Sequence, residues 1–355
     1  MNNDANQQQK RRRRSVILGI LALPMLAVLV YLAFRKVEPQ ELLSIVSQAN
    51  WSLVAVAMLV GILSHLIRAR RWQLLLNTLE RPTTLFSAFY AVMVGYFFNL
   101  LLPRAGEAVR CVVVSRRSQV KLEKSLGTMV TERLADVFVM LLLTLITVLF
   151  SLSTFGAFLW DDVLQPFFGR KLGMHPLTVC LAIAALVGVV LLIYWAMHSR
   201  VLGLRLRAKV RRFFRGLAQG MDSLRRMEAK WEFLGWTVAL WGAYWLMTYI
   251  VCLALPATKG LGPWVGLTLL VVGTFGMFVP VQGGIGSFHL VITLWLMALG
   301  LPRAEGLAYA TLSHGCQTVL LIVVPAVLEI YRIIAKVRRN AKLQGGIVED
   351  GEGKE

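Results

Sequence analysis

The sequence predicts an all-α polytopic membrane protein with about six full transmembrane helices and two broken or re-entrant helical hairpins. Three observations predict it. The 355 residues are 57% apolar with a mean hydropathy of +0.65, above what a water-soluble domain of this size tolerates. Several apolar runs reach the roughly 20 residues a helix needs to cross about 30 Å of hydrocarbon. Two further apolar stretches are interrupted near a proline and glycines. The 38 Lys and Arg exceed the 19 Asp and Glu, for a net charge of +19. In a soluble chain that excess would suggest nucleic acid. Here the charges fall between the hydrophobic runs, so no nucleic-acid partner is expected.

In chain order, residues 1–14 form a basic cytoplasmic N-terminus ending in Arg11 to Arg14, followed by the apolar run 15–34. The charge order is that of a signal peptide, but a 20-residue core is too long and no A-x-A-like site follows, so the run reads as a retained anchor. The other runs of crossing length are 51–67, 131–154, 177–198, 233–255 and 307–331. The interrupted stretches are 85–114, broken at Pro103, Arg104, Ala105, Gly106 and Glu107, and 264–300, broken at Pro280, Gly283, Gly284 and Gly286. A full crossing by 85–102 would put the ten basic residues of 199–232 outside, against the positive-inside bias. If 85–114 dips in and returns, the cytoplasmic segments hold 29 basic residues and the outer ones six. By the same parity 264–300 begins and ends outside, as a re-entrant hairpin or as two short spans. Both termini are then cytoplasmic, with 336–355 as a tail that looks disordered from 343 on.

Pro103 with Gly106 and Pro280 with Gly283 repeat one pattern at an offset of 177 residues. One reading is an inverted repeat, the arrangement that sets broken helices at the midplane of many transporters. The other is that PxxG is a common turn.

An Arg or Asp near the bilayer centre costs roughly 2.5–3.5 kcal/mol on insertion scales, so each needs a partner or a polar cavity. Arg104, Glu107 and Arg110 are spaced i, i+3, i+6, while Glu132, Arg133 and Asp136 fall within about 100° of arc on a helix. Three cations and three anions would make a neutral cluster on the inner face of a bundle. The alternative is that Glu132 and Arg133 snorkel to the headgroups. Asn99 is a further polar group in the apolar leg leading to the first tip. Backbone broken at membrane depth is tolerated where protein or a water-filled cavity satisfies it. The first tip therefore predicts a cavity for a polar or charged passenger. At the second tip, Gly283, Gly284 and Gly286 would leave amides free for an anion, or serve close helix packing.

Cys111, Cys180, Cys252 and Cys316 have apolar surroundings and no CxxC or Cys/His spacing, and His289 and His314 share no ligand spacing. No metal site and no cofactor are expected. No GxxxxGK[ST] tract is present. The basic stretch 199–232 carries Leu206, Val210, Phe213, Leu217, Met221 and Leu224 at helical intervals, and reads as an interfacial helix for anionic inner-leaflet lipids, or as an ordinary positive-inside connector.

Arg70-Arg71-Trp72, the tract from Phe98 and Asn99 through Pro103 to Arg110, Glu132-Arg133-Leu134-Ala135-Asp136, and Pro280 to Gly286 together resemble the lysylphosphatidylglycerol synthase transmembrane-region family. The resemblance covers about residues 15–335 and implies a flippase-like membrane domain of the multiple peptide resistance factor type, which moves aminoacylated phosphatidylglycerol between leaflets. It also implies a substrate or translocation role for Asn99, Pro103, Arg104, Gly106, Glu107, Arg110, Glu132, Arg133, Asp136, Pro280, Gly283, Gly284 and Gly286. Two departures stand out. Bifunctional relatives carry a soluble aminoacyl-transferase domain after the membrane part, whereas about 24 residues follow the last span here, so the lipid-modifying chemistry is not expected. A Glu commonly follows the glycine tract, where Ser287 and Phe288 stand here. The leading expectation is a non-enzymatic lipid transporter of the inner membrane, for a headgroup that is charged or glycosylated. Two alternatives stay open. One is a membrane partner of a separate glycosyl- or aminoacyl-transferase, docked through 199–232. The other is an intramembrane transferase using Glu107 or Asp136 as general base.

Overall fold

The computed structural model describes residues 27–79, 81–151 and 227–349. The expected run 177–198, most of the anchor 15–34 and most of the basic stretch 199–232 lie outside these residues. Among the described residues every regular element is helical.

Residues 27–34 are helical and lead to α1 (Pro39–Ser47), a short helix opened by a proline that needs no amide partner there. α2 (Trp51–Leu76) begins where the Asn50 side chain accepts from the Ser52 and Leu53 amides at 3.1 and 3.3 Å. It runs antiparallel to α6 (Lys230–Ala254). Asn50 N–H donates to the Ala254 carbonyl at 2.8 Å at one end, and Arg70 pairs with Glu232 at 2.7 Å at the other. Ile67, Leu240 and Ala243 fill the seam between them.

The first interrupted stretch is a helical hairpin of α3 (Leu85–Leu101) and α4 (Ala105–Ser118). The Thr84 hydroxyl caps α3 by accepting from the Ser87 amide at 3.2 Å. At 1.5 Å per residue, its 17 and 14 residues span about 25 and 21 Å, less than the hydrocarbon thickness. The arms close on each other because they meet at glycines: a β-carbon on Gly106 would overlap the Gly95 carbonyl oxygen. Asn99 Oδ1 accepts from the Gly106 amide at 2.7 Å, satisfying a donor that the start of α4 leaves open. At the far end Arg81 hydrogen-bonds Gln119, so both ends of the hairpin lie together.

α5 (Leu122–Phe150) follows. The second interrupted stretch is α7 (Pro263–Met277), a single 3₁₀ turn at Gln282–Gly284, and α8 (Ser287–Ala298). Its arms of 15 and 12 residues reach about 23 and 18 Å, again too short to cross. α9 (Arg303–Glu349) completes the order. Among the described residues, four helical segments are long and apolar enough to span: Trp51–Leu76, Leu122–Phe150, Lys230–Ala254 and Arg303–Ala335.

One core gathers Trp295, Leu296, Leu269, Val251 and Tyr309 around the second hairpin, and another gathers Trp72, Leu75, Ala88, Ala91, Cys111 and Val114 around the first. Buried aromatics are tied by their polar ends, Trp72 Nε1 to Thr128 Oγ1 at 3.2 Å and Tyr309 OH to the Thr248 carbonyl at 2.9 Å. Among the described residues, many large apolar side chains lie on the outer surface. α5 alone turns Phe138, Leu141, Leu145, Leu149 and Phe150 outward, a face suited to lipid.

Three boundaries differ from the sequence expectation. α2 extends to Leu76 instead of ending near 67, and α5 starts at Leu122 instead of 131. In both, polar residues that look like flanks are buried by partners on other helices. α9 continues through 343–349, expected to be disordered, despite the helix-weakening Gly345 and Gly346.

Candidate functional site: a buried ion network beside a cavity

α2, α4 and α5 bring seven charged side chains into one network. Glu132, with no exposed surface, accepts from Arg68 Nη1 and Arg71 Nη2, each at 3.1 Å, and forms an ion pair with Arg110 Nη2 at 2.8 Å. Asp136, one turn on, receives Arg71 at 2.6 Å, Arg68 at 3.1 Å and Arg133 at 3.7 Å. Arg133 also pairs with Glu107 at 2.7 Å, at the half-exposed edge of the network. Neutral groups complete the shell. Arg68 Nε donates to Tyr244 OH at 3.1 Å, and the Arg110 guanidinium stacks 4.6 Å over the Trp72 ring. Four guanidinium groups face three carboxylates, so the network keeps one positive charge. Buried charges persist only when paired and hydrogen-bonded, since the desolvation cost otherwise exceeds the attraction.

The two hairpin tips meet. Arg104, in the left-handed region at φ 60°, donates from Nη2 to the Phe278 carbonyl at 2.9 Å. Gly283, at φ +57°, approaches Leu100 so closely that a β-carbon would lie 2.9 Å from its Cδ2. Gly286, at φ +81°, abuts the backbone of Leu29 and Val30. Both positions require glycine, for backbone conformation and for space.

Beside the tips lies a cavity of about 330 Å³, walled by α2, α3, α6, α7, α8 and α9. Its wall includes Arg68 from the network, Asn99 and Leu100 from the first hairpin, and Met277, Gly283 and Phe288 from the second. A much smaller recess of about 10 Å³ separates Glu107, Arg110 and Arg133 from Asn99 and Tyr96.

The structure therefore brings Glu107, Arg110, Glu132, Arg133 and Asp136 together, and places Asn99 and Gly106 at the seam of the first hairpin. It removes Arg104 from the expected cluster: the guanidinium is exposed and ties the tips, because α4 begins only after it. The expected neutral set of six is replaced by a set of seven with charge +1. Glu132 does not snorkel, being wholly enclosed. Pro103 and Pro280 occupy the turns, half-buried and exposed respectively. The amides of Gly284 and Ile285 are used within the second turn, on the Val281 and Gln282 carbonyls. Gly283, Gly284 and Gly286 are each closely packed, Gly284 against the Met277 thioether. His289 and His314, which share no sequence spacing, come together with ring centroids 5.0 Å apart.

Sequence reasoning missed Arg68 and Arg71, which it counted among the cytoplasmic flank. A signal was available: they lie three apart and are followed by Trp72, Leu74, Leu75 and Leu76, an apolar return that a solvated flank would not show.

The sequence profile of the Lysylphosphatidylglycerol synthase TM region matches residues 16–324. Among curated proteins, the chain is similar to one named Glycosyltransferase AglD from Haloferax volcanii, 26% identical over 348 residues, covering 88% of this chain and 53% of that protein. It is similar to the UPF0104 membrane protein MJ1595 of Methanocaldococcus jannaschii, 25% identical over 142 residues, covering 39% of this chain and 41% of that one. Similarity to the UPF0104 membrane protein PH1989 of Pyrococcus horikoshii is more extensive in coverage, 22% identity over 333 residues, 84% of this chain and 90% of the other. The chain spans about half the length of the first relative and less than half of the second.

Proposed function

The chain belongs to the lysylphosphatidylglycerol synthase transmembrane-region family, and from that premise we propose that it moves a lipid with a charged or glycosylated headgroup between the leaflets of the cell's inner membrane, with both termini cytoplasmic. The observation that carries this reading is the cavity of about 330 Å³ with both hairpins on its wall, the first through Asn99 and Leu100 just before its turn and the second through Gly283 in its turn. A volume of that order accommodates a small polar headgroup. The hairpins are too short to cross, so their tips lie at depth, and a void there whose mostly apolar wall carries Arg68, His65, Asn99 and several hydroxyls would lower the barrier that hydrocarbon sets to a charged group. The Arg104 guanidinium on the Phe278 carbonyl joins the two tips, and on this reading release of that bond would let the hairpins part for the headgroup. The basic stretch 199–232 would hold anionic lipid at the inner surface.

A second reading is favoured by one comparison. The relative named a glycosyltransferase is about twice as long as the part this chain matches, and on this reading the matched region serves as the membrane partner of a transferase.

Reconstituted vesicles test transport. Purified protein should accelerate leaflet exchange of a headgroup-labelled lipid over empty vesicles. Thr274→Trp, on the cavity wall, should abolish that exchange while the melting temperature stays within a few degrees. Exchange undiminished by a filled cavity would exclude this route. Stoichiometric recovery of a transferase with the protein, together with no exchange at all, would favour the second reading.

A further inference from the structure

The chemistry of the cavity wall is one-sided. Among the described residues that line it, Arg68 is charged and no carboxylate is present; the rest of the polar lining is hydroxyl, amide and imidazole, including Ser64, Tyr244, Ser313 and Gln317. With Arg68 counted, the network behind the wall holds one more positive charge than negative. Tyr244, Glu132 and Asp136 take three of the five guanidinium N–H donors of Arg68, leaving two. One turn before Arg68 on the same face of α2, His65 also lines the cavity, and its Nδ1 is buried with no hydrogen-bond partner. Its ring is held against Tyr96 at 5.1 Å. A buried polar atom without a partner is costly unless something else satisfies it.

We propose that this cavity takes an anionic phosphate ester bearing free hydroxyls, held by Arg68 and His65, and that it disfavours a headgroup carrying an ammonium group. The proposal rests on the reading of the cavity as the headgroup site and narrows it. A phosphate oxygen placed between Arg68 and His65 meets the unused guanidinium donors and an imidazole N–H, while glycerol or sugar hydroxyls meet Ser313, Gln317 and Tyr244. An ammonium group would face the residual positive charge at low dielectric with no carboxylate on the wall to receive it.

Native mass spectrometry of the full chain in detergent, with equal amounts of phosphatidylglycerol, lysylphosphatidylglycerol and phosphatidylcholine, tests this. Phosphatidylglycerol should be retained about ten-fold or more over the lysyl lipid, and His65→Phe, which keeps the ring against Tyr96, should lower its retention about ten-fold, the factor for one charge-assisted hydrogen bond. Equal or greater retention of the lysyl lipid would overturn the proposal, as would retention indifferent to His65→Phe. Displacement of phosphatidylglycerol by millimolar glycerol phosphate would keep the phosphate chemistry and assign the site to a soluble ester. The two readings fail separately: vesicles that exchange lysylphosphatidylglycerol through a Thr274-dependent route would retain transport and remove the anion preference, whereas exchange of no lipid would remove transport itself.

Discussion

Replacing Glu132 by glutamine removes one charge with little change in side-chain size, and leaves Arg68, Arg71 and Arg110 facing an amide in place of a carboxylate. The network then carries two uncompensated positive charges in a region with little water. Breaking a buried pair in this way costs about 3–5 kcal/mol, so Glu132→Gln should show a large fall in melting temperature in detergent, or fail to accumulate in the membrane. Arg104→Ala serves as the comparison. Its guanidinium is exposed and makes one bond to the Phe278 carbonyl, worth about 1 kcal/mol at most. Equal losses for the two variants would mean that the network does not hold the fold. The charges on α4 and α5 were legible in the sequence because carboxylates and arginines inside an apolar context demand partners. Arg68 and Arg71 were not, because an arginine directly after a hydrophobic run is also what a membrane flank looks like. Only the carboxylates that α5 brings against them, more than 60 positions away, separate the two cases.

The element-scale argument concerns how short helices close into hairpins. α3 and α4 touch through backbone at Gly95 and Gly106, so an added methyl on Gly106 has no flexible side chain to displace, only a carbonyl and the Asn99 amide. Gly106→Ala should cost about 1–3 kcal/mol, the range for overpacking, and should splay the first hairpin at its tip. Gly127, in α5, has nothing within 4 Å of its missing β-carbon, so Gly127→Ala should gain about 0.5–1 kcal/mol from helix propensity. Thermal unfolding of the two variants side by side checks both signs. The hairpins themselves could be read from the sequence, since a proline and glycines interrupt apolar runs too short on either side to cross. Their contact with each other could not: it depends on Leu100 fitting against Gly283, a match of shapes that neither stretch contains alone. Helix lengths were under-read for the reason seen at Arg68. Hydropathy stops at the first polar residue, whereas a helix continues as long as its polar side chains find partners.

For the whole molecule, the argument turns on which ends of the hairpins face which side of the membrane. Arg81 bonds Gln119, so the first hairpin starts and finishes at one level. Arg70, paired with Glu232, marks the same end of the α2–α6 pair. α2 leads into the first hairpin from this end. At the opposite end Asn50 meets Ala254, and α6 leads from there into the second hairpin, whose two ends carry Leu261 and Leu299 into one core cluster. The hairpins thus enter from opposite ends of the bundle and meet at their tips, as an inverted pair would, although the left-handed residue falls at Arg104 in one turn and at Gly283 in the other. Moving Arg68 and Arg71 from the flank into the interior leaves 27 basic residues on the side assigned to the cytoplasm against six on the other, so the charge bias keeps its direction. In a variant with the four native cysteines replaced by alanine, single cysteines at Arg81 and Lys121 should therefore react with an impermeant maleimide only after the cell is permeabilised. Cysteines at Gly262 and Gly300 should react in intact cells. Labelling of Arg81 and Lys121 from opposite sides would make the first stretch a crossing, place Glu107 and Arg110 on a spanning helix, and leave the two tips no common depth at which to share a cavity.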